Sequence, residues 1–223
     1  GDLYAWNFGG TGGALDLREW DYGVGFGYPD ATTWAIDLGN PDRSTWATAT
    51  RQYLNRHPEI NVIIWAWCWQ MVTSDPAEIQ VYLDLMSALE ADYPSVKFVY
   101  MTGHVVEGQL WGEGTTWSHM HYNRAKQIRD YCLANNKILF DFADIESWDP
   151  DGNWYGDKLV DEACYYDSNG DGTTERNWAI DWQNAHPGEW YNCESAHSQP
   201  LNANLKAYAA WHLWARLAGW DGN

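Results

Sequence analysis

A possible catalytic pair lies near the C-terminus, where Glu194 precedes His197 by three residues and a helical stretch follows. A carboxylate can orient an imidazole through one ring nitrogen while the other nitrogen acts as a general base. A histidine that only caps or packs the start of the helix would have the same spacing. The spacing therefore leaves both interpretations open.

Polar side chains that could transfer protons or donate hydrogen bonds follow each of three apolar runs. Gln70 follows the first run, His104 the second, and Asp144 and Glu146 the third. His104 with the two carboxylates could supply the acid–base pair of a glycosidase, or abstract the proton in a polysaccharide lyase. The structural alternative is a buried histidine bonded to a carbonyl, with carboxylates that fix the ends of loops.

The segment DSNGDGTTE, residues 167–175, has the alternating oxygen ligands of a calcium-binding loop. In the pattern D-x-N-x-D-G every second side chain faces a hard cation, and Gly172 permits the sharp turn. Trp178 stands where the pattern has its bidentate glutamate, and Asp181 could substitute for it. An Asx-rich turn without an ion is the alternative. We expect a structural Ca²⁺ bound by Asp167, Asn169, Asp171, Thr173, Glu175 and Asp181.

Tryptophan is the compositional outlier, with 17 residues among 223. Packing is favoured for the tryptophans of strands, whereas several others, including Trp154, lie in segments without a core period. An exposed indole beside carboxylates can stack on the C–H face of a sugar whose hydroxyls bind acids and amides. We expect a carbohydrate-binding surface drawn from Glu146, Trp67, Trp69, Trp111 and Trp148.

The three apolar runs, at residues 61–67, 96–101 and 137–142, have the length of strands, and stretches with helical spacing lie between them. An order of strand, helix, strand, helix, strand predicts a parallel sheet covered on both faces. Ligands of such sheets bind outside the carboxyl ends of the strands. The polar residues that follow the runs should therefore meet at one edge of the sheet.

Helix signals frame these runs. Asp75, Pro76 and Glu78 have the spacing of a capping box with proline in the first helical position, and Pro94 ends the apolar stripe that follows. Three further helices are predicted, at residues 44–56, 118–135 and 201–219.

Length and charge restrict the function. A chain of 223 residues, 45% of them apolar, can bury one full domain core. The formal charge of −18, from 31 acidic and 13 basic residues, argues against a nucleic-acid partner and against anionic membrane surfaces. No apolar stretch approaches the about 20 residues that span a bilayer. No signal peptide is recognisable, and the numbering is expected to begin after one was removed.

The four cysteines fall into two classes. Cys68 follows a strand and Cys132 lies in a helix, where buried thiols are expected. Cys164 and Cys193 lie in turn-rich sequence and could form a disulfide. The acidic surface and this possible disulfide favour an extracellular location.

Several strings, taken with the β/α order, resemble the SGNH (GDSL-type) hydrolase superfamily, and within it a secreted bacterial subgroup found beside fibronectin type III modules. The matching strings are DLGNPDRSTW (37–46), NVIIWAWCWQ (61–70), FVYMTGH (98–104), IRDYC (128–132), LFDFADIESWDPDG (139–152), NWAID (177–181) and AHSQ (196–199). The resemblance implies a flavodoxin-like three-layer sandwich with a parallel central sheet. It also implies a hydrolase whose nucleophilic serine follows the first strand.

Carried over to this chain, the resemblance makes His197 the general base and Glu194 its orienting carboxylate. Gln70 matches the amide donor of the oxyanion hole, where the family has Asn, and Trp69 stands where related sequences have Gly. No run in residues 1–34 resembles the first strand and its serine. The nucleophile would therefore come from a segment outside this sequence.

These observations predict one α/β domain over residues 1–223, with an irregular Gly- and aromatic-rich segment at 1–36 and a long loop region with the calcium site at 150–196. The predicted function is that of a secreted esterase that removes acyl groups from a polysaccharide. The alternatives are a polysaccharide lyase or glycosidase that uses His104 with Asp144 and Glu146, and a non-catalytic carbohydrate-binding or self-assembling module.

A sheet of three strands is thin for the fold that this resemblance implies, and it leaves an open slot beside residues 61–67. Exposed sheet edges recruit another strand. We therefore expect the slot to be filled by an N-terminal segment such as residues 3–8, by a separate piece, or by a neighbouring subunit. In the last two cases the isolated chain should be oligomeric or prone to aggregate.

Overall fold

The structure is a computed structural model that describes residues 15–17, 42–67, 69–106 and 117–222. These residues form a mixed α/β arrangement that is compatible with a three-layer α/β fold. The elements in chain order are α1 (Thr45–Arg56), β1 (Val62–Trp65), α2 (Trp69–Thr73), α3 (Pro76–Asp92), β2 (Lys97–Met101), α4 (Trp117–Ala134), β3 (Ile138–Phe140), α5 (Phe142–Ile145), β4 (Tyr165–Tyr166), β5 (Arg176–Asn177), α6 (Trp178–Ala185) and α7 (Pro200–Leu217).

The predicted parallel sheet is confirmed, with strand order β1–β2–β3. Val62 lies opposite Lys97, and Met101 lies opposite Phe140. Each strand is shorter than the apolar run that predicted it. β2 begins one residue after its run, whereas β1 and β3 end before theirs because the chain leaves the ladder early. After β3, for example, Asp141 already caps α5. The edge at the carboxyl ends of these three strands is called the rim below.

Local signals set the helix ends. Glu78 N–H donates to Asp75 Oδ1 at 2.9 Å and Asp75 N–H donates to Glu78 Oε2 at 3.1 Å, so the predicted capping box of α3 is confirmed. These bonds satisfy backbone donors that the first turn of a helix leaves unpaired. The helices predicted at residues 44–56, 118–135 and 201–219 are α1, α4 and α7.

Aromatic packing joins α1 and α3 to the sheet. The Tyr82 ring of α3 is fully buried and lies 5.8 Å from the Trp46 ring and 5.5 Å from the Trp67 ring. Its hydroxyl donates to Trp65 O at 2.8 Å and accepts from Met101 N–H at 3.0 Å. This hydroxyl therefore pairs backbone groups at the ends of two strands, and burial raises the pKa of Tyr82 well above its usual range.

Helix α7 connects the rim to the opposite edge of the sheet. Lys97 Nζ, at the start of β2, donates to Leu217 O at 3.1 Å. In the first half of the helix Lys206 forms an ion pair with Glu146, which lies just after α5. A second core of buried side chains packs below the rim and includes Val105, Ala143, Tyr155, Trp178 and Leu201.

Some sequence predictions fall outside the described residues. They include the strand candidate at residues 3–8, most of the predicted irregular segment 1–36, and the side chains of Cys68 and Trp111. Among the described strands β1 pairs only with β2, and its Ile64 side chain is 44% exposed. What fills the predicted slot therefore stays a prediction. The described helices include none that is both long and apolar enough to cross a membrane.

The possible disulfide between Cys164 and Cys193 is not formed, and both residues are free thiols. Cys164 Sγ lies 3.5 Å from Ser198 Oγ, whereas Cys193 Sγ accepts from Asn204 Nδ2 at 3.4 Å. The two thiols thus have different partners in the packing around the start of α7. The turn-rich sequence around both cysteines does not indicate that the two thiols have separate partners.

Candidate functional site

Asp141 fixes the centre of the rim. Its carboxylate accepts two hydrogen bonds from the Arg129 guanidinium and one from Thr102 Oγ1 at 3.0 Å. It also caps α5 by accepting from the Asp144 N–H at 3.3 Å. The Thr102 hydroxyl in turn accepts from the Ala143 N–H at 3.0 Å. The carboxylate of Asp141 therefore joins the ends of β2, β3 and α4, which is a structural role.

Glu146 is a buried carboxylate with two fixed partners. Its side chain is 1% exposed, Oε1 lies 2.6 Å from Lys206 Nζ, and Oε2 accepts from the Val105 N–H at 2.7 Å. Burial raises the pKa of Glu146, and the Lys206 ammonium opposes that shift. The pair fastens α7 to the loop that follows β2 and so supports the backbone next to His104.

His104 lies in this loop with one ring nitrogen held by two acceptors. Nδ1 is 2.9 Å from Val105 O and 3.3 Å from Glu162 Oε2. Because a carbonyl and a carboxylate accept hydrogen bonds, Nδ1 is the ring nitrogen that carries a proton in this arrangement. The Trp69 ring stacks on the imidazole at 6.3 Å and 22° and is 51% exposed. This arrangement orients the imidazole at the rim beside an aromatic side chain.

Glu162 is a carboxylate partner of His104 that the sequence did not predict. It lies 3.3 Å from Nδ1, whereas Asp144 accepts from Trp148 Nε1 at 3.2 Å and Glu146 accepts from the Val105 amide. Glu162 precedes β4 by three positions and lies far from His104 along the chain. It follows no apolar run and belongs to no motif, so the sequence carried no signal for its role.

The predicted pair Glu194 and His197 is not brought together. Both side chains are exposed, and across the described residues the structure records no hydrogen bond or ion pair between them. Three-residue spacing puts side chains side by side only in a helix, and here the segment is a loop in which His197 has φ 57. That left-handed backbone turns the chain toward Pro200, where α7 begins.

Two other predicted site residues lie at the end of β1. Trp67 is 1% exposed and packs in the core, so its ring is not at a surface that a sugar can reach. Gln70 is 6% exposed and lies in α2, directly after Trp69. Of the side chains in this segment, Trp69 is the one that presents a large apolar face to solvent.

The loop at residues 167–175 gathers three carboxylates. Oxygen atoms of Asp167, Asp171 and Glu175 all lie within 4.8 Å of one another, so this cluster could hold a metal ion. Asp167 accepts from the N–H groups of Gly170 at 2.6 Å and Gly172 at 2.8 Å. These bonds hold the pKa of Asp167 below its usual range. They also show that the Asx-type turn is formed by the chain itself.

The other three predicted ligands are placed differently. Asn169 Oδ1 accepts from the Asp171 N–H at 2.9 Å, and the Thr173 hydroxyl donates to Asp171 Oδ1 at 2.6 Å. Asp181 does not join the carboxylate cluster, because it pairs with Arg176 at 2.8 Å in the first turn of α6. The expectation that Asp181 replaces the missing glutamate is therefore not supported by the geometry.

A hairpin at residues 147–155 presents two tryptophans near the rim. Trp148 and Trp154 face each other across an antiparallel bridge, with ring centroids 6.4 Å apart and planes tilted by 40°. The Trp148 side chain is 40% exposed. Trp148 thus lies beside the carboxylate of Asp144, whereas Glu146, the carboxylate predicted for the sugar surface, is buried.

Comparisons of the chain with protein-family models, with curated proteins and with solved structures find no match. The chemistry of the rim is therefore the basis for assigning a function.

Proposed function

We propose that the chain is a secreted carbohydrate esterase that uses His104 as its general base. The observation that carries the proposal is the orientation of the imidazole, whose Nδ1 contacts Val105 O and Glu162 while Trp69 stacks on the ring. A histidine held through one nitrogen by a carboxylate is the arrangement that activates water or a hydroxyl group. The activity belongs to the class that the SGNH resemblance implies, with a different histidine as the base.

The other carboxylates at the rim are bound by neighbouring side chains, and this favours an esterase over a glycosidase. Glycoside hydrolysis needs two carboxyl groups, one on each side of the scissile bond. Asp141 is bound by Arg129 and Thr102, and Glu146 is bound by Lys206 and the Val105 amide. These two carboxylates are occupied in holding the rim together, whereas an imidazole with a carboxylate partner suffices for ester hydrolysis.

The proposed reaction moves one proton through His104. Nε2 takes a proton from a water molecule as its oxygen attacks the ester carbonyl, and the Glu162 carboxylate stabilises the imidazolium that forms. When the tetrahedral intermediate collapses, the bond between the carbonyl carbon and the sugar oxygen breaks. Nε2 then returns the proton to the leaving sugar oxygen. The products are a carboxylic acid and a free sugar hydroxyl, and the imidazole is regenerated.

We also propose that the loop at residues 167–175 binds Ca²⁺. Carboxylates of Asp167, Asp171 and Glu175 are hard oxygen ligands of the kind that calcium prefers. The ion would offset the repulsion among three neighbouring negative charges. The loop connects β4 to β5, and β4 follows Glu162 closely in the chain. The role of calcium would therefore be to stabilise the segment that carries Glu162.

The test is acetate release from acetylated xylan, measured beside the absorbance rise that a lyase would produce from polygalacturonate. We expect acetate release by the wild-type chain and no unsaturated product. Glu162→Gln keeps an acceptor for Nδ1 but removes the charge that stabilises the imidazolium. It should lower kcat by up to about 10⁴-fold, the loss that the same change causes in a catalytic triad. An active lyase, or a Glu162→Gln variant with unchanged kcat, would contradict the proposal.

A further inference from the structure

The hairpin at residues 147–155 is held more rigidly than a surface loop of its length requires. One carboxylate, Asp149, accepts from the Asn153 N–H, from Asn153 Nδ2 and from the Tyr155 hydroxyl, each at 2.9 Å. The Tyr155 N–H also donates to Ser147 O at 2.8 Å, which closes the base of the hairpin. Asp149 and Tyr155 are both buried. Preorganisation of this kind lowers the entropy cost of binding a ligand.

The two tryptophans on this hairpin have fixed positions as well. Trp148 Nε1 donates to Asp144 Oδ1, which holds the indole in place, and the residue is 40% exposed. Trp154 lies opposite, across the bridge between the two strands of the hairpin. We call Trp148, Trp154 and Asp144 the indole platform.

The charge around the indole platform restricts what can bind there. Three acidic residues lie in or near the platform. Asp144 belongs to it, and Glu146 is two residues from Trp148. The exposed Asp151 lies in the turn of the same hairpin and accepts from Trp182 Nε1 at 3.0 Å. The Lys206 ammonium near Glu146 is already paired with that carboxylate. The chain as a whole carries a formal charge of −18. An anionic polymer such as a polyuronate would be repelled.

We propose that the indole platform binds an uncharged glycan and so selects the substrate of the esterase. Sugar rings have an apolar C–H face that can stack on an exposed indole, and Asp144 keeps acceptor capacity for a sugar hydroxyl. In the chain Glu146 lies between Asp144 and Trp148 of the platform, and Glu146 also accepts from the Val105 amide, next to His104. A glycan stacked there lies at the rim that holds the proposed base. As a substrate subsite the platform rests on the proposed function.

Binding is measured apart from turnover by using the His104→Asn variant. Isothermal titration compares the affinities of Trp148→Ala, Trp148→Phe and Trp220→Ala, each made in the His104→Asn variant. The uncharged ligands are xylohexaose, cellohexaose and mannohexaose, and the anionic probe is hexagalacturonate. Trp220 is the matched control, because it is 39% exposed and lies beyond the far end of α7. We expect at least one uncharged hexasaccharide to bind and hexagalacturonate to bind more weakly. Trp148→Ala should weaken binding about tenfold, whereas Trp148→Phe retains most of it.

Each outcome decides between the alternatives. Absence of binding by all three uncharged hexasaccharides overturns the inference, and so does equal binding by Trp148→Ala and Trp220→Ala. Tighter binding of hexagalacturonate overturns the assigned charge of the ligand. If the uncharged glycan binds through Trp148 but the wild-type chain releases no acetate, the indole platform stands and the esterase proposal fails. A cooperative thermal melt of each variant separates lost binding from lost folding.

Discussion

The buried ion pair of Glu146 and Lys206 allows a quantitative prediction. Lys206→Met removes the ammonium and leaves a carboxylate that is 1% exposed without its countercharge. Breaking a buried pair in this way costs about 3–5 kcal/mol of unfolding free energy. The Lys206 side chain is 19% exposed, so water can reach part of the site. We therefore expect a loss near the lower limit, about 3 kcal/mol.

The double variant Glu146→Gln/Lys206→Met tests the cause of that loss. A glutamine amide oxygen can still accept from the Val105 N–H, but it carries no charge that needs a partner. The double variant should therefore be more stable than Lys206→Met alone. Lys126→Met is the matched control, because Lys126 pairs with Asp130 on the exposed side of α4, and such pairs contribute about 0.3–0.5 kcal/mol.

The assay is urea denaturation followed by tryptophan fluorescence, with the slope compared between variants. Burial raises the pKa of Glu146 in the folded chain, so the folded state binds more protons than the unfolded one above about pH 4.3. The stability of Lys206→Met should then fall as the pH rises from that value, and its deficit should shrink in acid. A deficit no larger than that of Lys126→Met, or a double variant as unstable as the single one, would refute the reasoning.

Three further predictions concern other parts of the chain. Removal of calcium from the loop at 167–175 with EDTA should lower the melting temperature, since a ligand that binds the native state stabilises it. An unchanged melting temperature would contradict calcium binding. Burial raises the pKa of Cys132 and of Cys164 to about 12, so iodoacetamide at pH 8 should label the exposed Cys193 before these two thiols. Equal labelling of the three by peptide mass spectrometry would count against the packing. Ile64→Lys on the edge strand β1 should reduce self-association in light scattering, and a monodisperse wild-type monomer would remove the reason for that expectation.

Elements governed by local rules could be predicted from the sequence. The capping box at Asp75 and Glu78 fixes the start of α3 through contacts three residues apart. The apolar runs predicted the three strands and their parallel order, because each run is bounded by helical stretches. The loop at 167–175 also follows a local pattern, and its three carboxylates do converge.

Contacts between distant segments could not be predicted in the same way. His104 pairs with Glu162, and Lys206 meets Glu146 because α7 packs against α5. The resemblance to the SGNH superfamily implied that Glu194 would orient His197, but the two residues lie in a loop in which His197 has φ 57. Burial also decides which tryptophans can contact a ligand, since Trp67 is buried in the core whereas Trp69 is exposed.

The central claim is that His104, rather than the histidine near the C-terminus, is the catalytic base. The most direct measurement is the initial rate of acetate release from acetylated xylan by His104→Asn and by His197→Asn, each confirmed to be folded by its thermal melt. Loss of a general base costs about 10²–10⁴-fold in rate. The account predicts a loss of that size for His104→Asn and a rate near that of the wild type for His197→Asn. The reverse result would contradict it.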